Sequence, residues 1–80
     1  RSRPDVVAAL GQLGAPGAAV TLINLLNTDP YVPVRAAAGK ALGQLGGAQA
    51  QAALTSALAH EREAQVIIAI KAARSAKPAR

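Results

Sequence analysis

Ala9-Leu10-Gly11-Gln12-Leu13-Gly14 returns unchanged as Ala41-Leu42-Gly43-Gln44-Leu45-Gly46, 32 positions further along the chain. An internal period of this length marks a stacked-repeat architecture, because each short unit can bury its apolar face only against the units beside it. The same offset carries Ala18 onto Ala50, Leu22 onto Leu54, Leu26 onto Leu58, Val34 onto Val66, Ala37 onto Ala69 and Ala41 onto Ala73. The coincident positions are apolar and the polar ones between them drift, which is the pattern of a shared core under free surfaces. About two and a half units fit, close to the roughly three that usually make a stable stack. They run from about 1 to 28, 29 to 60 and 61 to 76, with the last incomplete and 77–80 a tail of the same single domain. The chain opens in mid-pattern without Met, so a piece of a longer protein is expected.

A chain of 80 residues buries only about 60 to 65% of its unfolded surface, so stability should be modest. Alanine supplies 21 of its 41 apolar residues, Phe, Trp and Met are absent, and Tyr31 is the single aromatic. Alanine packs closely but buries little area. Leu10, Leu13, Leu22, Leu26, Leu42, Leu45, Leu54 and Leu58 are therefore expected to provide most of the hydrophobic stabilisation. There is no Cys to form a disulfide, which fits a reducing compartment. The longest run rich in large apolar residues, Val66 to Ile70, is too short for a membrane span, and the expected location is cytoplasmic.

Helical spacing and breakers predict five helices. Val6, Ala9, Leu10 and Leu13 recur on a helical period, and Gly14-Ala15-Pro16-Gly17 ends that helix and begins the next, with Pro16 suited to a first turn. The second helix runs to about Asn27 over Ala18, Ala19, Leu22, Leu25 and Leu26. Asp29-Pro30 reads as a cap and first-turn proline for a third helix from about Pro30 to Leu45, which Gly46-Gly47 stops. A fourth spans about Ala48 to Ala59, burying Ala50, Ala53, Leu54, Ala57 and Leu58. The fifth begins after Glu61 and Glu63, whose charge suits a helix amino terminus, and stops near Ala76 ahead of Pro78. Short connections make these helices antiparallel neighbours.

The stretch Asp29-Pro30-Tyr31-Val32-Pro33-Val34-Arg35-Ala36-Ala37-Ala38-Gly39-Lys40, continued by the repeated hexapeptide and then by Ala50, Leu54 and Leu58, resembles the short HEAT-type repeat of phycobilisome bilin lyases and many bacterial scaffold proteins. The resemblance runs from about Pro4 to Ala73. It implies an all-α, right-handed solenoid of paired helices that binds another protein, with some relatives in complexes that attach or detach bilins. It also implies a ladder of acidic and Arg residues along the stack, here Arg3, Asp29, Arg35 and Glu61, with Asp29 capping the third helix and pairing with Arg35 or Arg3 and Glu61 partly replacing the next rung. Ala15 and Gly47 stand where the family has an acidic turn residue. Val66-Ile67 replaces the family's Val-Arg pair and Arg74 stands at the place of Leu42, which suggests that the stack ends there.

Catalytic chemistry finds little support. His60 is the single His, the acids are Asp5, Asp29, Glu61 and Glu63, and no metal-ligand spacing occurs. Glu61 and Glu63 are two apart and point to different sides of a helix, so a working carboxylate pair is not expected. Gly39, Gly43 and Gly46 lie in or at the end of a helix with no preceding strand, and close helix contact explains them better than a phosphate loop. The net charge of +5 gathers at the ends, in Arg1, Arg3, Lys71, Arg74, Lys77 and Arg80, while Pro4 to Ile70 sets three cations against four acids, a net −1. A basic groove and aromatic platforms are lacking, which argues against nucleic acid. The expected function is a non-catalytic interaction scaffold without cofactor; an accessory part of a bilin-lyase-like modifying enzyme is the alternative, with a nucleic-acid-binding helical repeat ranked behind it.

Two surfaces are expected to meet a partner. In paired-helix solenoids the second helix of each unit lines the concave side, which places Thr21, Asn24 and Thr28 beside Gln49, Ser56 and His60. Ile67 and Ile68 stand where the previous unit has Arg35 and Ala36, and both cannot share the inward stripe of Val66, Ala69 and Ile70. An apolar patch ringed by Lys71 and Arg74 is therefore expected on the last helix, serving self-association or docking.

Overall fold

The computed structural model describes residues 3–14 and 17–76. Ala15, Pro16, Pro78 and the terminal Arg1, Lys77 and Arg80 lie outside them, with the roles expected of those residues. Five helices follow one another: α1 (Pro4–Leu13), α2 (Ala18–Thr28), α3 (Val32–Leu45), α4 (Ala48–His60) and α5 (Ala64–Ser75). No strand occurs among the described residues.

Helices α1, α3 and α5 lie side by side with α3 in the middle, and α2 and α4 form a second layer across them. The Cα extents of 30 × 27 × 16 Å are those of a two-layer slab. The arrangement is an all-α helical-repeat solenoid, in which α1–α2 and α3–α4 are the units and α5 opens a third. Tight turns enforce it. Gly46 and Gly47 alone connect α3 to α4, at φ of 70° and 91°, in a region that residues with a Cβ rarely enter.

Between the layers lies one core. Leu22 and Leu26 from α2, Leu42 and Val34 from α3, Leu54 from α4 and Ile70 from α5 are sealed from solvent, each contributing about 1.5–3 kcal/mol through burial. The alanines expected to line it divide by depth. Ala18, Ala50 and Ala57 are buried, whereas Ala19 and Ala53 sit at the margin with Leu25 and Leu58.

The structure corrects the expected core in α1. Leu13 is 76% exposed and Val6 53% exposed, while Val7 and Gly11 are buried and Leu10 is partly covered. At about 100° per residue, Val6, Ala9 and Leu13 form one stripe and Val7, Leu10 and Gly11 another, about 120° further round the helix. The helix is apolar on two faces, and α3 covers only the second.

Helix α3 also begins later than expected, at Val32, with Tyr31 as its extended N-cap residue. Asp29 ends α2 in an extended conformation, the one that a following proline favours. Its carboxylate accepts a 2.9 Å hydrogen bond from the Tyr31 N–H, so it braces the turn ahead of the helix and does not cap its first turn.

Candidate functional site

The most extensive polar geometry joins two turns of the stack. The Arg35 side chain leaves the first turn of α3, and the Glu61 side chain lies in the turn between α4 and α5. Arg35 Nε and Nη2 donate to Glu61 Oε1 and Oε2, both at 3.1 Å, in a two-pronged pair. Arg35 Nη1 donates to the Asp29 carbonyl oxygen at 3.0 Å, so the Asp29 carboxylate does not hold the guanidinium. Glu61 Oε2 also accepts from the main-chain N–H groups of Arg62 and Glu63, which aim the carboxylate at Arg35. The two side chains are 17% and 6% exposed.

Electrostatics favours the ionised pair. Burial pushes the Glu61 carboxyl up, but the Arg35 hydrogen bond, the Glu63 N–H, the Arg35 charge and the Arg62 N–H together hold it below its usual value. The Glu61 hydrogen bond outweighs burial and, with nearby acidic charge, raises Arg35. Arg3, one period before Arg35, instead pairs with Asp5 of its own turn at 2.8 Å, with both side chains largely exposed. That contact contributes about 0–1 kcal/mol.

Thr28 and His60 end α2 and α4 and border the same cleft as Asp29, Arg35 and Glu61, an open volume of about 420 Å³. Its central guanidinium spends its donors on Glu61 and Asp29, and Thr28 Oγ1 donates back to the Asn24 carbonyl oxygen at 2.7 Å. The cleft therefore reads as a brace between units. Thr21, Asn24, Gln49 and Ser56 are all exposed on α2 and α4, as are Thr28 and His60. On α5, Ile68 is 67% exposed and Ile67 half-buried, with Lys71 and Arg74 in solvent.

Sequence reasoning expected close helix contact at Gly43 without its partner, and missed the contact at Gly11. Gly11 meets Ala41, and Gly43 meets Ala73, where α3 touches its two neighbours. The signal was present, since both pairs obey the repeat offset; which helix each glycine faces was not.

Among the described residues no three His, Cys, Asp or Glu side chains gather as metal ligands, and no helix is long and apolar enough to cross a membrane. A two-layer stack of paired helices, joined by an internal ion pair and exposing a polar second layer, defines a helical-repeat protein. The family model for HEAT repeats matches residues 3–74, and the chain belongs to that family. The match is to HEAT repeats at large and does not single out the bilin-lyase type. No curated protein and no solved structure matches the chain.

Proposed function

We propose that the protein is a non-catalytic scaffold module whose α2–α4 layer holds a polypeptide. One observation carries this reading: neither α2 nor α4 contains Asp, Glu, Lys or Arg, although the chain has nine basic and four acidic residues. Among the described residues the charges sit in α1, α3, α5 and the turns. The exposed side of the second layer offers Thr21, Asn24, Gln49 and Ser56, with Thr28 and His60 at its edge and the apolar Val20 among them.

Neutral amides and hydroxyls can exchange hydrogen bonds with peptide groups without stripping water from a charge, which is the costly step in burying polar surface. The same layer is poorly suited to a phosphate backbone, which is held by Lys and Arg. Site-specific photo-crosslinking tests the reading. A benzophenone side chain at Asn24 or Ser56 should give protein adducts in extract from the source cell, and one at Lys40 on the opposite layer should not. Equal labelling from both layers would rule out the α2–α4 face. Asn24→Arg combined with Ser56→Arg should abolish capture while leaving Tm unchanged.

A further inference from the structure

The 32-residue offset gives each side of a helix a counterpart elsewhere in the molecule. In α3 the side that receives the next unit carries Arg35, Gly39, Leu42 and Gly43. Arg35 pairs with Glu61, and added Cβ atoms at Gly39 and Gly43 would stand 3.5 Å from Ile70 Cγ1 and 2.6 Å from Ala73 Cβ. The corresponding residues of α5 are Ile67, Lys71, Arg74 and Ser75. At about 100° per residue they share one side of that helix, about a third of the way round from the buried Val66, Ile70 and Ala73.

The chemistry of this side is inverted. An apolar side chain replaces the paired guanidinium, and two cations replace a glycine and a fully buried leucine. Ile67 is half-buried and Ile68 beside it is 67% exposed, while Lys71, Arg74 and Ser75 all stand in solvent. Among the described residues neither Lys71 nor Arg74 meets a hydrogen-bond or ion-pair partner, and α5 contains no Asp or Glu. A merely solvated side accounts for the cations. It does not account for the isoleucines, which take the places of Arg35 and Ala36.

We propose that this side of α5 docks an acidic, apolar segment of another protein, whose apolar side chains cover Ile67 and Ile68 while its carboxylates pair with Lys71 and Arg74. Charge complementarity selects the occupant. Guanidinium and ammonium groups left without partners are matched by carboxylates, and the adjoining isoleucines by aliphatic side chains. A second copy does not supply this combination. Of the chain's four acids, Asp5 already pairs with Arg3, Asp29 with the Tyr31 N–H and Glu61 with Arg35. A helix of the repeat pattern fits no better, because it would desolvate both cations unpaired and meet Ser75 where α3 has a glycine. An anionic bilayer gains little from two cations, since electrostatic attachment takes a cluster of about four to eight. The surface is separate from the α2–α4 layer and stands whether or not that layer holds a polypeptide.

The probe is a fluorescent amphipathic helix of about 18 residues, with leucines along one face and glutamates along its flanks, titrated into the full chain and followed by anisotropy. Lys71→Glu combined with Arg74→Glu should weaken binding about tenfold or more, and Ile68→Ser about threefold or more. Lys40→Glu combined with Arg62→Glu makes the same change in net charge and should leave binding within about twofold. A glutamine version of the probe should not bind. All of these side chains except the probe's own are exposed on the chain, so an unchanged Tm is expected for each variant. A glutamate probe that fails to bind overturns the proposal, as does equal weakening by the two charge-reversed pairs, which reduces the attraction to net charge. Binding to anionic vesicles that is tighter than to the probe and is lost in the Lys71, Arg74 double variant overturns it in favour of a membrane surface. A wild-type dimer dissociated by Ile68→Lys overturns it in favour of a second copy.

Discussion

Gly43 lies against the backbone of Ala73: a Cβ on the glycine would stand 2.6 Å from the Ala73 Cβ and 2.8 Å from its Cα. Gly11 and Ala41, 32 residues earlier, repeat the relationship at 2.5 and 2.9 Å. These contacts set the distance between α1, α3 and α5. The first layer is therefore held at a spacing that only glycine permits.

Gly43→Ala and Gly39→Ala should move stability in opposite directions, although both glycines lie within α3. Alanine gains about 1 kcal/mol in helix propensity at either site. At Gly43 the new methyl meets backbone, and overpacking of about 1–3 kcal/mol or more outweighs that gain. At Gly39 the nearest atoms are side-chain carbons at 3.5, 3.7 and 4.0 Å, which leaves room for a methyl. Thermal unfolding should show a lower Tm for Gly43→Ala and a higher one for Gly39→Ala; two shifts of the same sign would refute the contact geometry.

Glu61→Gln should cost about 2 kcal/mol, because it removes a charged acceptor from a guanidinium that stays largely buried. Asp5→Asn, at the exposed pair with Arg3, should change stability by less than about 1 kcal/mol. Equal effects in urea unfolding would mean that burial does not separate the two pairs.

Acid should weaken the wild type through the same carboxylate. The folded pKa of Glu61 lies below its usual value of 4.5, so the unfolded chain takes up the proton first. The pair's contribution is therefore complete above about pH 4.5 and is lost as pH falls through the lower folded value. A plot of Tm against pH should fall more steeply in that range for wild type than for Glu61→Gln. Parallel curves would assign the acid sensitivity elsewhere.

Leu42→Ala should cost about 2–5 kcal/mol and Leu13→Ala less than about 0.5 kcal/mol, even though the two belong to copies of one hexapeptide. Leu42 is fully buried and Leu13 is 76% exposed. Comparable losses on chemical denaturation would show that α1 buries the other of its two apolar stripes.

Partner capture by the α2–α4 layer should persist when ionic strength is raised. Ionic screening weakens attraction between exposed charges, and this layer has none from Asp, Glu, Lys or Arg. A steep loss of photo-crosslinking yield with added salt would point to the charged layer instead.

The period, the five helices and the breakers at Gly46-Gly47 were legible in the sequence, because helical periodicity and positive-φ turns are properties of a few neighbouring residues. The start of α3 was not. Asp29-Pro30 looks like a cap with a first-turn proline, and only the extended path through Tyr31 shows that the helix opens at Val32. Among the expected ladder residues, the sequence reading paired Asp29 with Arg35 or Arg3, whereas the structure pairs Arg35 with Glu61 and Arg3 with Asp5. One carboxylate more or less within reach of Arg35 depends on how the α4–α5 turn folds back, and that turn brings Glu61 to it across 26 positions.

By itself, then, the sequence determined an apolar repeat of 32 residues and hence a stack of paired helices, since no unit could bury its leucines alone. Tertiary structure alone decided which of two apolar stripes α1 buries. Both stripes satisfy the helical period equally well, and the choice rests on the neighbour: α3 offers Ala41 at contact distance to Gly11, which draws Val7 and Leu10 inward and leaves Val6 and Leu13 in water.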